Sequence, residues 1–227
     1  MHADEYDLDR DGFTVRRSVL RQHDIIELRA EADRVASVAG SACVRHIGER
    51  SDLLAALGVS PTLAGLIPRG MRPVRSLLFD KTPDENWPVA WHQDTTIAVA
   101  EQLEVAGYGP WSFKDGAVHV QPPAGLLAQM ISLRVHLDDT PPENGALRVI
   151  PGSHRHGRLS LATIQELRHQ PEVVCSCAPG DVLLMHPLIL HASRRASEPA
   201  RRRVLHYEYA PGDALDPRLR WAEPDVT

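Results

Sequence analysis

The sequence predicts an all-β jelly roll with an α-helical flank, closed in the cupin-like manner, and three observations carry that expectation. Helical periodicity is confined to the first third of the chain. From residue 73 onward, short apolar or alternating runs follow one another, and turn residues such as Pro141, Pro142, Asn144, Gly145, Pro179 and Gly180 separate them. Helices first and many short strands afterwards is the order expected when a sheet structure hides its edges by closure.

Residues 12–16 read as a short extended start. Over 21–38, Ile25, Leu28, Ala32 and Val35 recur at spacings of three and four, which predicts a helix with one buried stripe. Gly40 is its expected stop. A second helical piece over 51–57 ends at Gly58, and Ser60-Pro61 reads as an N-cap followed by proline in the first turn of a third. Strands are expected at 74–79, 130–137, 146–150, 173–177, 182–185, 188–191 and 204–209. Asn144-Gly145 carries a hairpin-turn signal. Residues 103–121, with Gly107, Gly109, Pro110 and Trp111, fit neither period and are long for a loop, so they are expected to form a lid or substrate loop.

A chain of 227 residues with 43% hydrophobic content and no break in composition is expected to form one domain over 1–227. The formal charge is −5, and basic residues are scattered until Arg194, Arg195, Arg201, Arg202 and Arg203, so no basic face marks a nucleic-acid binder. Small molecules are the expected partners, and the oligomeric state is left open. No window is long and apolar enough to span a membrane, and the acidic start (Asp4, Glu5, Asp7, Asp9) lacks the regions of a signal peptide, which predicts a cytoplasmic protein. Cys43, Cys175 and Cys177 form an odd set without a Cys-x-x-Cys pair and read as reduced, buried thiols.

The chemistry is concentrated in Trp91-His92-Gln93-Asp94. On a strand, residues i and i+2 share a face, so one imidazole and one carboxylate can reach the same ion. A third ligand is expected from His191, which closes the stretch that begins at Gly180-Asp181. Two histidines and a carboxylate on one face of an iron ion leave three positions open, enough for a bidentate 2-oxo acid and O2. Such a co-substrate also needs a fixed cation for its distal carboxylate, and a guanidinium meets a carboxylate with two parallel hydrogen bonds. Arg202, eleven residues after His191, is the candidate, although spacing alone does not separate it from Arg201 and Arg203. Ser193 could offer a hydroxyl to the same group. Lys81 reads equally well as a surface ammonium or as a second carboxylate contact.

Ser76-Leu77-Leu78-Phe79-Asp80-Lys81, Asn86-Trp87, Trp91-His92-Gln93-Asp94, Arg134-Val135-His136-Leu137-Asp138-Asp139, Glu143-Asn144-Gly145-Ala146-Leu147 and Pro151-Gly152-Ser153-His154 together resemble the phytanoyl-CoA dioxygenase family. The match continues from Gly180-Asp181 through His191-Ala192-Ser193 to Arg202-Arg203 and is closer to the family's small bacterial branch. The resemblance spans roughly residues 12–209. It implies a double-stranded β-helix using Fe(II), 2-oxoglutarate and O2, with His92, Asp94 and His191 as metal ligands and the arginine as the co-substrate anchor. Family halogenases replace the carboxylate ligand with a small residue. Asp94 is present, so hydroxylation of a small molecule with release of succinate and CO2 is the expected reaction.

Plainer readings stand beside this one. Twelve histidines make chance His-x-Asp triplets common, and His2-Ala3-Asp4 and His136-Leu137-Asp138 are two others. The first sits at a terminus expected to fray. The second shares a strand face with Ser132 and Arg134 but lies too close to His191 in sequence for the intervening strands, so His136 reads as a wall residue. His186 competes with His191, yet Pro187 interrupts the strand there. Asp7 to Gly12 begins like an EF-hand loop but has Ser18 where a glutamate is required, and reads as an acidic turn. Ser153-His154 reads as a turn rather than as a nucleophile and base. Trp111 and Arg134 are the candidate substrate contacts. Two competing functions remain at this level: a cupin-like zinc or manganese hydrolase or isomerase, which would not need Arg202, and a non-catalytic ligand-binding relative.

Overall fold

The computed structural model describes residues 5–114 and 116–223, so the His2-Ala3-Asp4 triplet lies outside the described residues. Thirteen strands are described in chain order: β1 (Phe13–Arg16), β2 (Cys43–Arg45), β3 (Met71–Lys81), β4 (Val89–His92), β5 (Ile97–Val99), β6 (Trp111–Lys114) and β7 (Ala117–Val120). They continue with β8 (Ile131–His136), β9 (Leu147–Val149), β10 (Val173–Cys175), β11 (Val182–Met185), β12 (His191–Ser193) and β13 (Arg202–Pro211). One antiparallel sheet has the order β1-β11-β8-β13-β3-β2, a second β10-β9-β12-β4, and a third β5-β7-β6. The fold is mainly β and antiparallel, a jelly roll with helices packed on the outside of its larger sheet.

The helical flank forms where its periodicity places it. The Gln22–Ala39 helix buries Ile25, Leu28, Ala32 and Val35 and stops at Gly40, whose φ of 60° is the left-handed conformation that glycine adopts without strain. Ser51 and Ser60 cap the Asp52–Gly58 and Pro61–Ala64 helices by accepting from the Leu54 and Leu63 amides. These helices pack on one face of the large sheet, against Leu78, Leu133, Val135, Leu184 and Leu205. Tyr207 and Tyr209 reach through that core from β13 and donate their hydroxyls to Leu54 O at 2.8 Å and Gly58 O at 2.7 Å.

The other face of the large sheet looks across to the second sheet, and the space between them is divided. At the β1/β11 end, Phe13, Val15, Leu183 and Met185 interlock with Leu147, Val149, Cys175, Cys177 and Ile189 and fill it with apolar side chains. Cys175 and Cys177 are buried free thiols, and Cys43 is also unpaired. At the β2/β3/β13 end the gap stays open as a cavity of about 310 Å³.

Three sequence expectations are corrected. Residues 103–121 are not an irregular lid: β6 and β7 form a hairpin that pairs with β5 and seats Trp111, Val118 and Val120 on a cluster including Ile97, Leu127 and Trp221. The alternation in 111–120 and the Asp115-Gly116 dipeptide were the signals for it. Asn144-Gly145 does not close a hairpin but ends a 3-10 turn at Pro142–Asn144, and the flanking β8 and β9 belong to different sheets. The strand expected at 188–191 begins only at His191, because Pro187 lies in a turn just ahead of it.

Candidate active site

His92 is the last residue of β4 and stands directly opposite His191, the first residue of β12. Asp94 lies beyond the end of β4, so simple strand alternation does not bring it alongside His92. Two bonds do. Gln93 turns away and bolts the loop down, donating to Leu188 O at 2.6 Å and Gly157 O at 2.8 Å while accepting from Leu159 N at 2.8 Å. The Asp94 amide donates to Pro187 O at 2.9 Å. The approach to His191 is fixed by the Pro151-Gly152-Ser153-His154 turn: Ser153 Oγ accepts from the Leu190 amide at 2.8 Å and donates to Ile150 O at 2.7 Å. Ser153 is therefore a clamp on the β12 entrance.

The two imidazoles are oriented alike. His92 Nδ1 is 2.8 Å from Ala90 O and His191 Nδ1 is 2.9 Å from Ile189 O. A carbonyl only accepts, so both Nδ1 atoms carry the proton and both Nε2 atoms present a lone pair. Those Nε2 atoms lie 3.7 Å from Asp94 Oδ1 and Oδ2 respectively, too long for hydrogen bonds. One ligand atom from each of the three residues lies within 4.8 Å of the others, the only such cluster among the described residues. Burial pushes the His191 imidazole down to about 4, keeping it neutral. Burial opposes ionisation of Asp94, but His191, His92, His206 and Arg75 outweigh it and hold the carboxyl below its ordinary value. Two neutral imidazoles and a carboxylate that converge without bonding one another form a donor set suited to a divalent first-row metal. The His191 side chain is only 5% exposed, against 40% for His92, so the cluster opens to solvent on the β4 side.

The rival triplet is split apart. His136 lines the cavity and its Nδ1 meets Thr140 Oγ1 at 3.0 Å, whereas Asp138 turns outward to Arg203 at 2.8 Å and Arg29 at 3.1 Å. His186 stacks on His154, with ring centroids 5.0 Å apart, away from the cavity.

The three consecutive arginines are separated by the period of β13. Arg201 pairs with Asp80 and Asp33, and Arg203 with Asp138 and Asp33. Arg202 points the other way, into the cavity, where its Nη1 donates to Gly145 O. Its cross-strand partner in the register of β3 and β13 is Lys81. Lys81 Nζ donates to Trp87 O at 2.6 Å and lies 4.5 Å from the centre of the Trp87 ring. Burial, then Arg202 and Arg134, pushes Lys81 down to about 8, and burial, then Arg134, pushes Arg202 down to about 10. Like charges directly opposite on an antiparallel pair are destabilising. Among the described residues no carboxylate lies within ion-pair distance of either one, so the pair forms a ready-made anion site. Ser193, on the same face of β12 as His191, lines the same cavity.

Of the two candidate substrate contacts, Arg134 lines the cavity and Trp111 does not: Trp111 is held in the β6/β7 hairpin against apolar neighbours. Sequence reading overlooked Arg75, Leu77, Phe79, His206 and Glu208, which share the cavity-facing side of β3 and β13. The signal was present as charged residues at alternate positions within otherwise apolar strands.

In solved structures the same architecture recurs. HygX from Streptomyces hygroscopicus, described with nickel and 2-oxoglutarate bound, aligns with a TM-score of 0.66 at 18% identity, over 94% of this chain and 88% of its own. SnoN, a non-heme alpha ketoglutarate dependent epimerase from nogalamycin biosynthesis, aligns with a TM-score of 0.70 at 22% identity, over 97% and 90%. EctD from S. alaskensis, described with 2-oxoglutarate and 5-hydroxyectoine, gives 0.69 at 21% identity, over 89% and 73%. At these identities the likeness establishes the fold. No curated protein sequence matches the chain. The phytanoyl-CoA dioxygenase family model, by contrast, matches residues 8–204, a span that contains every residue of the His-Asp-His cluster and the Lys81/Arg202 pair, and the chain therefore belongs to that family.

Proposed function

We propose that the protein is an Fe(II)- and 2-oxoglutarate-dependent oxygenase that hydroxylates a C–H bond of a small molecule, converting 2-oxoglutarate and O2 to succinate and CO2. The observation that carries this reading is the opposed, desolvated Lys81/Arg202 pair in the same cavity as the His-Asp-His cluster. A zinc or manganese hydrolase would use the cluster but would have no need to bury two uncompensated cations beside it. The family membership and the 2-oxoglutarate in the HygX and EctD structures support the same assignment.

His92, Asp94 and His191 would hold the iron, which when bound supplies O2 activation coupled to oxidation of the 2-oxo acid. Arg202 would take the distal carboxylate in a two-pronged contact, Lys81 would add a point charge from the facing strand, and Ser193 would donate its hydroxyl. Phe79, Val204 and Leu147 form apolar wall between these polar groups and keep water from the reacting centre.

The test is anaerobic addition of Fe(II) and 2-oxoglutarate, with a weak visible charge-transfer band expected only when both are present, followed by succinate measurement under air. SnoN is named as an epimerase and SnoK as a carbocyclase, so the reaction type is read separately by 18O2 incorporation into product. Label in the product supports hydroxylation. Turnover without label would replace hydroxylation with one of those outcomes, and absence of any 2-oxoglutarate-dependent band or succinate would sink the oxygenase reading itself.

A further inference from the structure

The cavity wall has a second cationic region that the iron and 2-oxoglutarate reading does not use. Residues of β3 and β13 face each other in rungs: Lys81 opposite Arg202, Phe79 opposite Val204, Leu77 opposite His206, and Arg75 opposite Glu208. Each rung advances about 7 Å along the strands, so the Arg75 rung lies on the order of 20 Å of strand from the co-substrate anchor. Arg134, on the neighbouring β8, enters beside His206.

These two arginines are poorly satisfied. Arg134 Nη1 lies 3.3 Å from His206 Nδ1, and its guanidinium rests 5.1 Å from the centre of the Phe79 ring. Its Nε is shut off from solvent without a hydrogen-bond partner. Arg75 Nη1 donates to Glu208 Oε1 at 3.0 Å, but Arg75 Nε is likewise buried and unpartnered. Both arginines interact electrostatically with Asp94, yet neither lies within 4 Å of it. They flank the His-Asp-His cluster without belonging to it. A buried guanidinium nitrogen without an acceptor costs free energy unless a ligand supplies one.

The charge balance points to the nature of that ligand. Arg45, Arg75, Lys81, Arg134 and Arg202 line the cavity against two carboxylates, Asp94 and Glu208. A bound Fe(II) and a 2-oxoglutarate dianion cancel one another, so a surplus of three positive charges remains in a protein whose overall formal charge is −5. We propose that Arg75 and Arg134 form an oxyanion-binding subsite for the substrate, so that the enzyme acts on an anionic small molecule bearing a carboxylate or a phosphate. In this arrangement Glu208 holds the Arg75 guanidinium in place and restrains its charge until the substrate arrives. The inference rests on the oxygenase reading.

The experiment uses the intact protein loaded anaerobically with Fe(II) and saturating 2-oxoglutarate, so that Lys81 and Arg202 are already occupied. Binding is read by calorimetry with three probes: benzoate, its neutral methyl ester, and inorganic phosphate. Saturable binding of one anion but not of the ester is expected, and the preferred anion distinguishes carboxylate from phosphate. Arg75→Gln and Arg134→Gln should each weaken that binding at least about tenfold, while the 2-oxoglutarate band titrates as in the unmodified protein. Arg75→Lys, which keeps the charge, should recover part of the loss. Glu208→Gln should tighten the anion several-fold, because it releases Arg75; a purely structural ion pair would give weaker binding instead. Equal binding of ester and anion, or an Arg134→Gln effect confined to 2-oxoglutarate, overturns the subsite. If the unmodified protein shows no 2-oxoglutarate band, the oxygenase reading has failed, and that result is distinct from either of these.

Discussion

The two ends of the space between the same pair of sheets are built on opposite principles. At the β1/β11 end, Phe13, Val15, Leu183, Met185 and Ile189 meet Leu147, Val149 and Cys175 in one apolar cluster. At the β3/β13 end, alternate positions of the same kind of strand carry Arg75, Lys81, Arg202, His206 and Glu208. The first end gains stability from burial of apolar surface. The second gives that stability up, since desolvated charges facing a cavity are a cost that only a ligand offsets. One end makes the sandwich fold, and the other uses the rigidity so obtained to hold charges where they would not otherwise remain.

The sharpest way to break the comparison is at the metal cluster. Asp94→Ala removes one of the three proposed ligand groups and the only negative one, and iron affinity measured anaerobically is expected to fall by more than about 100-fold. The thermal midpoint without metal should stay close to that of the unmodified protein. His136→Ala, in the same cavity but outside the cluster, is expected to retain iron. Loss of iron there with retention in Asp94→Ala would reassign the site.

Next in size is the anchor. Losing one partner of a desolvated ion pair costs about 2–5 kcal/mol, so Arg202→Ala should raise the apparent 2-oxoglutarate constant at least about 30-fold with iron affinity nearly unchanged. Arg202→Lys should recover part of this. Arg201→Ala, which loses only a partly exposed pair with Asp80 and Asp33, is expected to leave the constant alone. Arg203→Ala is expected to lower stability instead, because Asp138 loses the closer of its two arginine partners and keeps only Arg29. Titration of all four variants decides it, and a large 2-oxoglutarate effect at Arg203 alone would contradict the outward direction of that side chain.

The filled end should respond in the reverse sense. Leu183→Ala, at a position with no exposure, is expected to cost about 2–5 kcal/mol of unfolding free energy with a co-substrate constant close to normal. Denaturant unfolding paired with the 2-oxoglutarate titration checks this. A binding loss as large as the stability loss would mean that the two ends are not separable.

The smallest effect is a pH dependence. Burial holds Lys81 near 8, against an ordinary 10.5, so its ammonium is present below pH 8 and lost above. Affinity for 2-oxoglutarate should therefore weaken, by roughly tenfold at most, as pH rises through 8 to 9. Lys81→Gln should be weaker throughout and lack that step. The stability contribution of the same group has the opposite sign: the unfolded chain binds more protons than the folded one between pH 8 and 10.5, so stability rises with pH there.

The residues of the His-Asp-His cluster were legible in the sequence because a compact tripeptide and a histidine closing an apolar run are local features. The choice among Arg201, Arg202 and Arg203 was not, although the reason is simple. Strand alternation sends 201 and 203 to the same face, but only the helix carrying Asp33 and the strand carrying Asp80 show which face is acidic, and that information is long-range. Residues 103–121 failed for the opposite cause: two four-residue strands are shorter than the windows in which periodicity stands out. Arg75 and Glu208 were invisible as a pair because they meet only through the register of β3 on β13.

His92 is carried by β4, a four-residue strand at the rim of the second sheet, bonded on one side to β12 and open on the other. Rim strands are the first to fray, and the ladder on its bonded side is already irregular between His191 and Ser193. Whatever binds His92 and His191 together thus also staples this rim, since the two residues face each other across the β4/β12 seam. Cofactor occupancy and local order of the rim become a single equilibrium, and amide exchange along β4 is where its position could be watched.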